Sequence, residues 1–276
     1  MRRKTIGKEV SLEGVALHSG DRSRVTFKPA PSGSGIVFSR ADIEKKPRIK
    51  ALPRNVSDTA RGTTIESDGS RVSVVEHVLA SVHALGITDL EIEMNGQEPP
   101  ALDGSALPFF SALKEAGLRE LEGDIEPLKV GKEIVVGDGE ASLRGRPSDR
   151  FRISFMIDFP GTVIGRQELT VDINGDSFGD EIAPARTFGF LSEVEELKKR
   201  GLARGASMEN ALVIGGSGYS NKPRFKDEAV RHKILDLVGD LGLLGRPILA
   251  HVIAERSSHR LNTKLASLLY EEADKK

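Results

Sequence analysis

The residues best suited to chemistry lie on one predicted helix, within the stretch RHKILDLVGD. His232, Asp236 and Asp240 recur every four residues there, while the apolar residues fall on a separate stripe of the same helix. Because side chains at positions i and i+4 nearly touch, His232 and Asp236 can hold one cation. A solvated polar face with a His–Asp hydrogen bond is the alternative interpretation of this pattern.

A zinc ion held by three protein ligands needs one more donor from elsewhere in the chain. His77 is the natural candidate, and Glu76 precedes it directly. A carboxylate beside a metal ligand can reach metal-activated water and act as a general base. Taken alone, the Glu76–His77 pair fits a capped helix start with exposed polar residues better than a catalytic site.

The remaining histidines carry weaker signals. His259 lies in the loop RSSH, after a predicted strand, which suits either a catalytic acid or a surface residue that begins a helix. His83 would point away from His77 on the same helix, so we interpret it as structural or exposed. His251 lies inside an apolar strand and is interpreted as a core residue. The segments SGSG and GGSG have no following GK[ST], so we interpret them as turns.

Composition excludes several classes of function. The 276 residues include no Cys, which removes disulfides and thiolate metal sites and fits a cytoplasmic protein. The 40 basic and 41 acidic residues balance, which argues against nucleic acid as the main partner. The N-terminus lacks the apolar run of a signal peptide, and the apolar runs are too short to span a bilayer. We therefore expect no stable membrane insertion, while peripheral membrane contact stays open.

The elements that must position these residues mix strands and helices without regular βαβ alternation, which predicts an α+β fold. Strands are predicted over residues 8–12, 22–28, 35–39, 88–94, 150–158 and 247–254, and helices over 72–85, 108–116, 226–244 and 261–270.

The chain also resembles a distant duplication, since helix, Gly, strand, loop and helix follow one another in each half. The segments HVLASVHALG and HKILDLVGDLG align from His77 and His232, although two short matches can also arise by chance. A pseudo-twofold axis would bring these two histidines together. We predict a first domain over residues 1–120, a linker over 121–132 and a second domain over 133–276. An insertion over 192–214 has no counterpart in the first half, and it predicts a short helix ending at Gly201 followed by a strand over 205–215.

Several segments, in order, resemble the UDP-3-O-acyl-N-acetylglucosamine deacetylase family of lipid A biosynthesis. They are GVALHSGDRSRVTFKPAP, VEHVLASVHALGITDLEIEMNGQEPPALDGSALPF, APARTFGF, RFKDEAVRHKILDLVGDL and SSHRLNTKL. They cover nearly the whole chain. The resemblance implies two similar domains, each a mostly antiparallel sheet packed against helices, with the active site between them.

The resemblance also implies the reaction and the role of each residue. The substrate would be an acylated UDP-amino-sugar, which loses its N-acetyl group in the committed step of lipid A biosynthesis and gives acetate and UDP-3-O-acyl-glucosamine. The matching positions imply His77, His232 and Asp236 as ligands of one catalytic Zn²⁺, Glu76 as general base, His259 as acid oriented by Asp240, and Thr187 as the hydroxyl that stabilises the oxyanion. Phe188, Lys233 and His18 match substrate-binding positions, with Lys233 near the diphosphate. The insertion matches an acyl-chain passage, which we expect to be lined by Leu191, Leu202, Met208 and Leu212.

Two positions depart from the pattern of that family. Ser258 stands where Gly is expected before the catalytic His, and Val252 where an aromatic residue is expected after His251. These differences bear on fine geometry and substrate preference. The alternatives are deacetylation of another sugar nucleotide and a binding protein that keeps the pocket without turnover. A monomer is expected.

Overall fold

The strands of the first half follow the alternation of apolar and polar residues in the sequence. Leu90, Ile92 and Met94 are fully buried, for example, and the residues between them are only partly so. The computed structural model describes residues 1–274. Its first half contains β1 (Arg2–Ile6), β2 (Val10–Val15), β3 (Arg22–Pro29), β4 (Ile36–Arg40), β5 (Arg48–Lys50), β6 (Val56–Asp58), β7 (Thr64–Ser67), β8 (Ser70–Val72), α1 (Glu76–Ala84), β9 (Leu90–Met94), α2 (Leu107–Glu115) and β10 (Leu118–Asp124).

The second half has the same mixed α+β character. It contains β11 (Leu128–Lys129), β12 (Ile134–Asp138), β13 (Ala141–Pro147), β14 (Phe151–Phe159), β15 (Gly165–Asp172), α3 (Gly175–Ser177), β16 (Phe188–Phe190), α4 (Val194–Lys199), β17 (Leu212–Gly215), β18 (Gly218–Tyr219), α5 (Glu228–Gly242), β19 (Ile248–Glu255) and α6 (His259–Asp274). The predicted α+β class, with sheets packed against helices, is confirmed.

The main sheets of the two halves have corresponding strand orders. The first runs β2-β3-β9-β4-β5 and the second β12-β13-β19-β14-β15. In each sheet the central strand is the one that comes last along the chain. In the first sheet β9 pairs antiparallel with β3 and parallel with β4, and in the second β19 pairs antiparallel with β13 and parallel with β14. The other neighbours along these orders pair antiparallel, so both sheets are mostly antiparallel.

The stretch around the predicted linker is partly extended. β10 pairs antiparallel with β1 in a separate two-stranded sheet, and β11 pairs in parallel with the start of β19. The chain therefore leaves the first half along one strand and joins the second half along another.

Helices α1 and α5 cross closely where the two hydrophobic cores meet. Leu79 and Val82 of α1 belong to the core of the first half, whereas Val238 and Leu241 of α5 belong to that of the second. A Cβ added at Gly239 would lie only 2.0 Å from the backbone oxygen of Glu76. Glycine at this position is what allows the two helix backbones to approach so closely.

The insertion predicted over 192–214 contains α4 and most of β17, and together with the flanking strands β16 and β18 it forms a small unit that contacts the first half. β16 and β17 pair in parallel, α4 lies between them in sequence, and β18 extends the small sheet. The backbone N–H of Arg204 donates to the carbonyl of His18 at 3.1 Å, and that of Gly205 to Leu17 at 3.0 Å. The insertion, which belongs to the second half, is therefore hydrogen-bonded to the first half at Leu17 and His18.

Two predicted elements start at least four residues later in the structure than the sequence predicts. The helix predicted over 72–85 begins only at Glu76, because Val72 lies in β8 and Val74 has a positive φ of 55°. The strand predicted over 205–215 is confined to Leu212–Gly215, since the Asn210 side chain accepts from the backbone of Ser207 and donates to the carbonyl of Gly205, which folds the residues before the strand into turns. Among the described residues, no helix combines the length and apolarity that a bilayer crossing requires.

Candidate active site

Three side chains converge where α1 meets α5. The Nε2 atom of His232 lies 3.3 Å from Oδ1 of Asp236, and that of His77 lies 3.9 Å from the same oxygen. The two imidazole rings are 5.1 Å apart between centroids, inclined at 72°. One ligand atom from each residue lies within 4.8 Å of the others. This buried group can hold a metal ion, and two imidazole nitrogens with one carboxylate oxygen suit Zn²⁺.

Each donor is held by its surroundings. His77 is the second residue of α1, and His232 and Asp236 lie one turn apart on α5. The Nδ1 atom of His232 lies 3.1 Å from the carbonyl of Ala185, which can only accept, so Nδ1 carries the proton and Nε2 is free to bind a cation. The second oxygen of Asp236 accepts a 2.7 Å hydrogen bond from Nζ of Lys233.

Electrostatics keep both imidazoles neutral. Burial, followed by the neighbouring His232, lowers the pKa of His77 to about 3. Burial also lowers the pKa of His232, although Asp236 opposes the shift. The pKa of Asp236 is lowered because Lys233 and the histidines outweigh the effect of its burial. Neutral imidazoles and an ionised carboxylate are the forms that bind a metal.

Glu76 lies beside the metal-binding group and is almost fully buried. Its Oε2 accepts a 2.9 Å hydrogen bond from the backbone N–H of Thr63. Burial raises the pKa of Glu76 to about 7, despite the opposing charge of His259. A carboxylate with a pKa near neutrality is suited to accept a proton from water.

His259 faces Glu76 across the site, with its Nε2 3.9 Å from Oε1 of that residue. Its Nδ1 donates to Oδ2 of Asp240 at 2.9 Å, and Asn262 donates to the same oxygen at 2.8 Å. Burial opposes protonation of His259, but the charges of Asp240, Asp236 and Glu76 outweigh it and raise the pKa to about 9. The imidazole is therefore protonated at neutral pH and can donate a proton.

One cavity of about 370 Å³ is lined by the metal-binding group together with Glu76 and His259. Thr187, Phe188 and Lys233 line it as well, so the structure brings them together with the metal-binding group. The Phe188 ring lies edge-on to His232, 6.2 Å away between centroids. Thr187 is fixed through its backbone, which donates to Gly104 and accepts from Leu212. The cavity thus brings together a carboxyl group, an imidazole, a hydroxyl and a group of side chains that can hold a metal ion.

The other predicted substrate residues do not gather around this cavity. His18 and Leu202 line a neighbouring cavity of about 590 Å³, which shares only Val74 with the first. Leu191 is exposed, and Leu212 is fully buried beneath the small sheet. Met208 is also exposed.

Three residues of the site carried no signal that our sequence analysis used. The hydroxyl of Thr63 donates to Asp240 at 2.5 Å and its backbone N–H donates to Glu76, so this residue connects Glu76 to the carboxylate that holds His259. Asn262 follows His259 by three positions on α6, a helical spacing that could have identified it. The third contribution comes from the backbone carbonyl of Ala185, and a backbone group cannot be predicted from the residue type.

The residues interpreted as structural lie outside the metal-binding group. His83 packs edge-on against Phe151, 5.5 Å between centroids, and His251 is hydrogen-bonded to Ser154 at 2.9 Å. Ser258, the departure before His259, lines the cavity, and its carbonyl accepts from the backbone N–H of Asn262.

Comparison with known proteins bears on what this site does. Residues 3–271 match the model of the UDP-3-O-acyl N-acetylglycosamine deacetylase family. The chain is 46% identical over 265 residues to a UDP-3-O-acyl-N-acetylglucosamine deacetylase of Myxococcus xanthus, covering 95% of this chain and 84% of the relative. It is 44% identical to the protein of that name from Leptospira biflexa and 43% identical to that from Syntrophotalea carbinolica, in each case covering at least 97% of this chain and 89% of the relative.

Proposed function

The chain belongs to the UDP-3-O-acyl N-acetylglycosamine deacetylase family, and from this we propose how its site performs the reaction. It is a UDP-3-O-acyl-N-acetylglucosamine deacetylase, an enzyme of lipid A biosynthesis. The observation that supports the residue assignments best is the buried group of His77, His232 and Asp236, bordered by Glu76 and His259 in a single cavity.

One catalytic Zn²⁺ would be held by His77, His232 and Asp236. When bound, it would supply Lewis-acid activation of water and of the acetamide carbonyl. The donor set and its spacing fit this ion, and both histidines are neutral as ligation requires. Lys233 already neutralises the second oxygen of Asp236.

Glu76 would take the proton of the attacking water as its oxygen forms a bond to the carbonyl carbon. The hydroxyl of Thr187 would donate to the oxygen on which negative charge develops. His259, held by Asp240, would then give its proton to the amide nitrogen as the carbon–nitrogen bond breaks. The products are acetic acid, which ionises to acetate, and a sugar nucleotide with a free amine. Glu76 then releases its proton to solvent and His259 takes one up, which restores both groups and balances the reaction.

The substrate would be bound by residues of two neighbouring cavities, the catalytic one and the one that contains His18. Phe188 and Lys233 line the catalytic cavity, and we assign Lys233 to the diphosphate because its position matches the one that the family uses for that contact. His18 and Leu202 would contact the substrate in the neighbouring cavity. The insertion would form the acyl-chain passage, with Leu191 at its exposed edge and Leu212 supporting Phe188 from the adjacent strand.

The corresponding strand orders of the two sheets support an origin by duplication. In that proposal residues 1–120 and 133–276 are two similar domains, 121–132 links them, and the active site lies between them. A monomeric enzyme of the cytoplasm remains our expectation.

The test is acetate release by the zinc-loaded protein from acylated and from non-acylated UDP-N-acetylglucosamine. We expect turnover of the acylated substrate and much slower turnover of the other, and Glu76→Gln should abolish both while keeping its metal. Full activity in metal-free protein, or in Glu76→Gln, would contradict the proposed chemistry.

A further inference from the structure

A buried ion pair lies directly behind the metal-binding group. Glu228 is 1% exposed and Arg186 is 6% exposed. The guanidinium of Arg186 donates to both oxygens of Glu228, through Nε at 2.9 Å and Nη2 at 3.2 Å. The backbone N–H groups of Arg186 and Arg224 donate to the same carboxylate at 3.0 and 2.6 Å. Nη2 of Arg186 also donates to the carbonyl of Lys222 at 2.8 Å.

Both members of the pair adjoin residues of the site. Arg186 stands between Ala185, whose carbonyl accepts from Nδ1 of His232, and Thr187, which lines the cavity. Glu228 lies in the first turn of α5, four residues before His232. The ion pair therefore joins the loop carrying that carbonyl to the helix carrying the imidazole.

Stability alone does not account for such a pair. Removing two charges from water costs about as much as their attraction returns, so an apolar pair of similar volume would often be as stable. An apolar pair would not fix the position of the loop relative to the helix. The planar guanidinium and the carboxylate do so, because their hydrogen bonds form only between particular atoms in a defined geometry.

We propose that Arg186 and Glu228 are positioning residues that hold the Ala185 carbonyl against Nδ1 of His232. They thereby keep the proton on Nδ1, aim Nε2 at the cation and set the place of Thr187. The inference rests on the proposed function for the role of Thr187, but its effect on metal affinity is independent of the reaction.

The test removes both charges together, in the double variant Arg186→Met/Glu228→Gln. The amide oxygen of Gln keeps one acceptor for the backbone N–H groups, so the fold is expected to survive. Outer partners of metal-bound histidines typically contribute 10–100-fold to metal affinity, and we expect a loss of about that size for Zn²⁺ and Co²⁺. The visible absorption of the Co²⁺-loaded protein should change as well, since a misaimed imidazole alters the coordination.

A second ion pair, between the partly exposed Arg3 and the buried Asp89, provides a control. Arg3 binds both oxygens of Asp89, whose side chain has no exposed surface, and that carboxylate also accepts from the backbone of Gly35. In Arg3→Met/Asp89→Asn the thermal midpoint can change, but metal affinity and the Co²⁺ spectrum should match those of the unmodified protein.

Arg186→Lys keeps the positive charge but loses the planar guanidinium that binds both carboxylate oxygens, so it should give an intermediate loss of metal affinity. If the Arg186→Met/Glu228→Gln protein is folded and binds metal as tightly as the unmodified protein, with the same Co²⁺ spectrum, the pair is only structural and the inference fails. If affinity falls as expected but even the unmodified protein releases no acetate, the positioning role stands and the proposed function fails.

Discussion

Asp240 has no exposed surface, and both of its carboxylate oxygens accept hydrogen bonds. Oδ1 accepts from the hydroxyl of Thr63, and Oδ2 accepts from His259 and Asn262. A carboxylate so constrained fixes the imidazole in one orientation, while its charge favours the protonated ring. Their environments move the pKa values of Glu76 and His259 apart from their usual ones: burial raises the pKa of Glu76, and the charges of neighbouring carboxylates outweigh burial and raise the pKa of His259.

The pH dependence of kcat/KM should follow from these two groups. Glu76 must be deprotonated, so the rate rises through its pKa of about 7, and His259 must be protonated, so the rate falls through about 9. A bound cation favours deprotonation of both groups, which moves both limbs to lower pH. In Asp240→Asn the basic limb should move further down, because the largest charge that raises the pKa of His259 is lost. A basic limb unchanged in Asp240→Asn would show that it belongs to another group.

The metal ligands can be tested one at a time. His77→Ala, His232→Ala and Asp236→Ala should each weaken zinc binding by more than the 10–100-fold typical of outer partners, because each removes one of three donors. Metal content and affinity of the folded proteins are the measurement. His251→Ala is the control, since that imidazole contacts Ser154 and should leave one equivalent of zinc bound. Tight stoichiometric zinc in any of the three variants would show that its residue was misassigned.

At the scale of elements, the site depends on how closely α1 and α5 approach. Gly239→Ala should cost about 1–3 kcal/mol through overpacking, because the new methyl group would lie 2.0 Å from the backbone of Glu76. It should also weaken metal binding, since His77 moves with α1. Thermal unfolding and metal affinity measure the two effects. Gly242→Ala, on the same helix but 3.2 Å from the backbone oxygen of Leu79, should have a clearly smaller effect on both.

The elements that bear the site could largely be predicted from sequence, because their periodicity is strong. The helix predicted over 226–244 begins at Glu228 and ends at Gly242, and the strand predicted over 247–254 is Ile248–Glu255. Short strands such as β6 to β8 were missed, since three or four residues hold too little alternation to stand out. The start of α1 was misplaced because Val74 adopts a left-handed backbone that tertiary packing imposes and its residue type disfavours.

The site itself was predictable to the extent that it consists of side chains on regular elements. His232 and Asp236 follow from helical spacing, whereas Thr63 lies on a loop whose position only the folded chain defines. The residues expected to line an acyl-chain passage also show that a residue type does not determine where its side chain points in the fold. Leu212 has the apolar character expected of a groove, but strand β17 directs it into the core.

At the scale of the whole molecule, the insertion joins the halves and should govern the choice of substrate. Leu202→Glu places a charge in the cavity that also contains His18 and should weaken acylated substrate more than a non-acylated analogue. The expected loss follows the number of buried methylenes, at about 0.8 kcal/mol each. The measurement is kcat/KM for the two substrates.

Val135→Glu is the control, because that residue is exposed on β12, outside the insertion. It should leave both substrates unaffected. An equal loss for the two substrates in Leu202→Glu would show that this side chain does not contact the acyl chain.

The crossing of α1 and α5 also sets the order in which the protein can mature. His77 leaves the ribosome well before His232 and Asp236, so a nascent first half carries one donor of a three-donor site. Forming this contact requires closure of a very long chain loop, which is slow compared with local folding. Tight metal uptake must wait for that closure, and until then the cell's zinc buffer competes with a single imidazole. With the three ligands proposed above, a metal ion would be retained only by chains whose two halves have already docked, so metal content would report how much of the protein has completed folding.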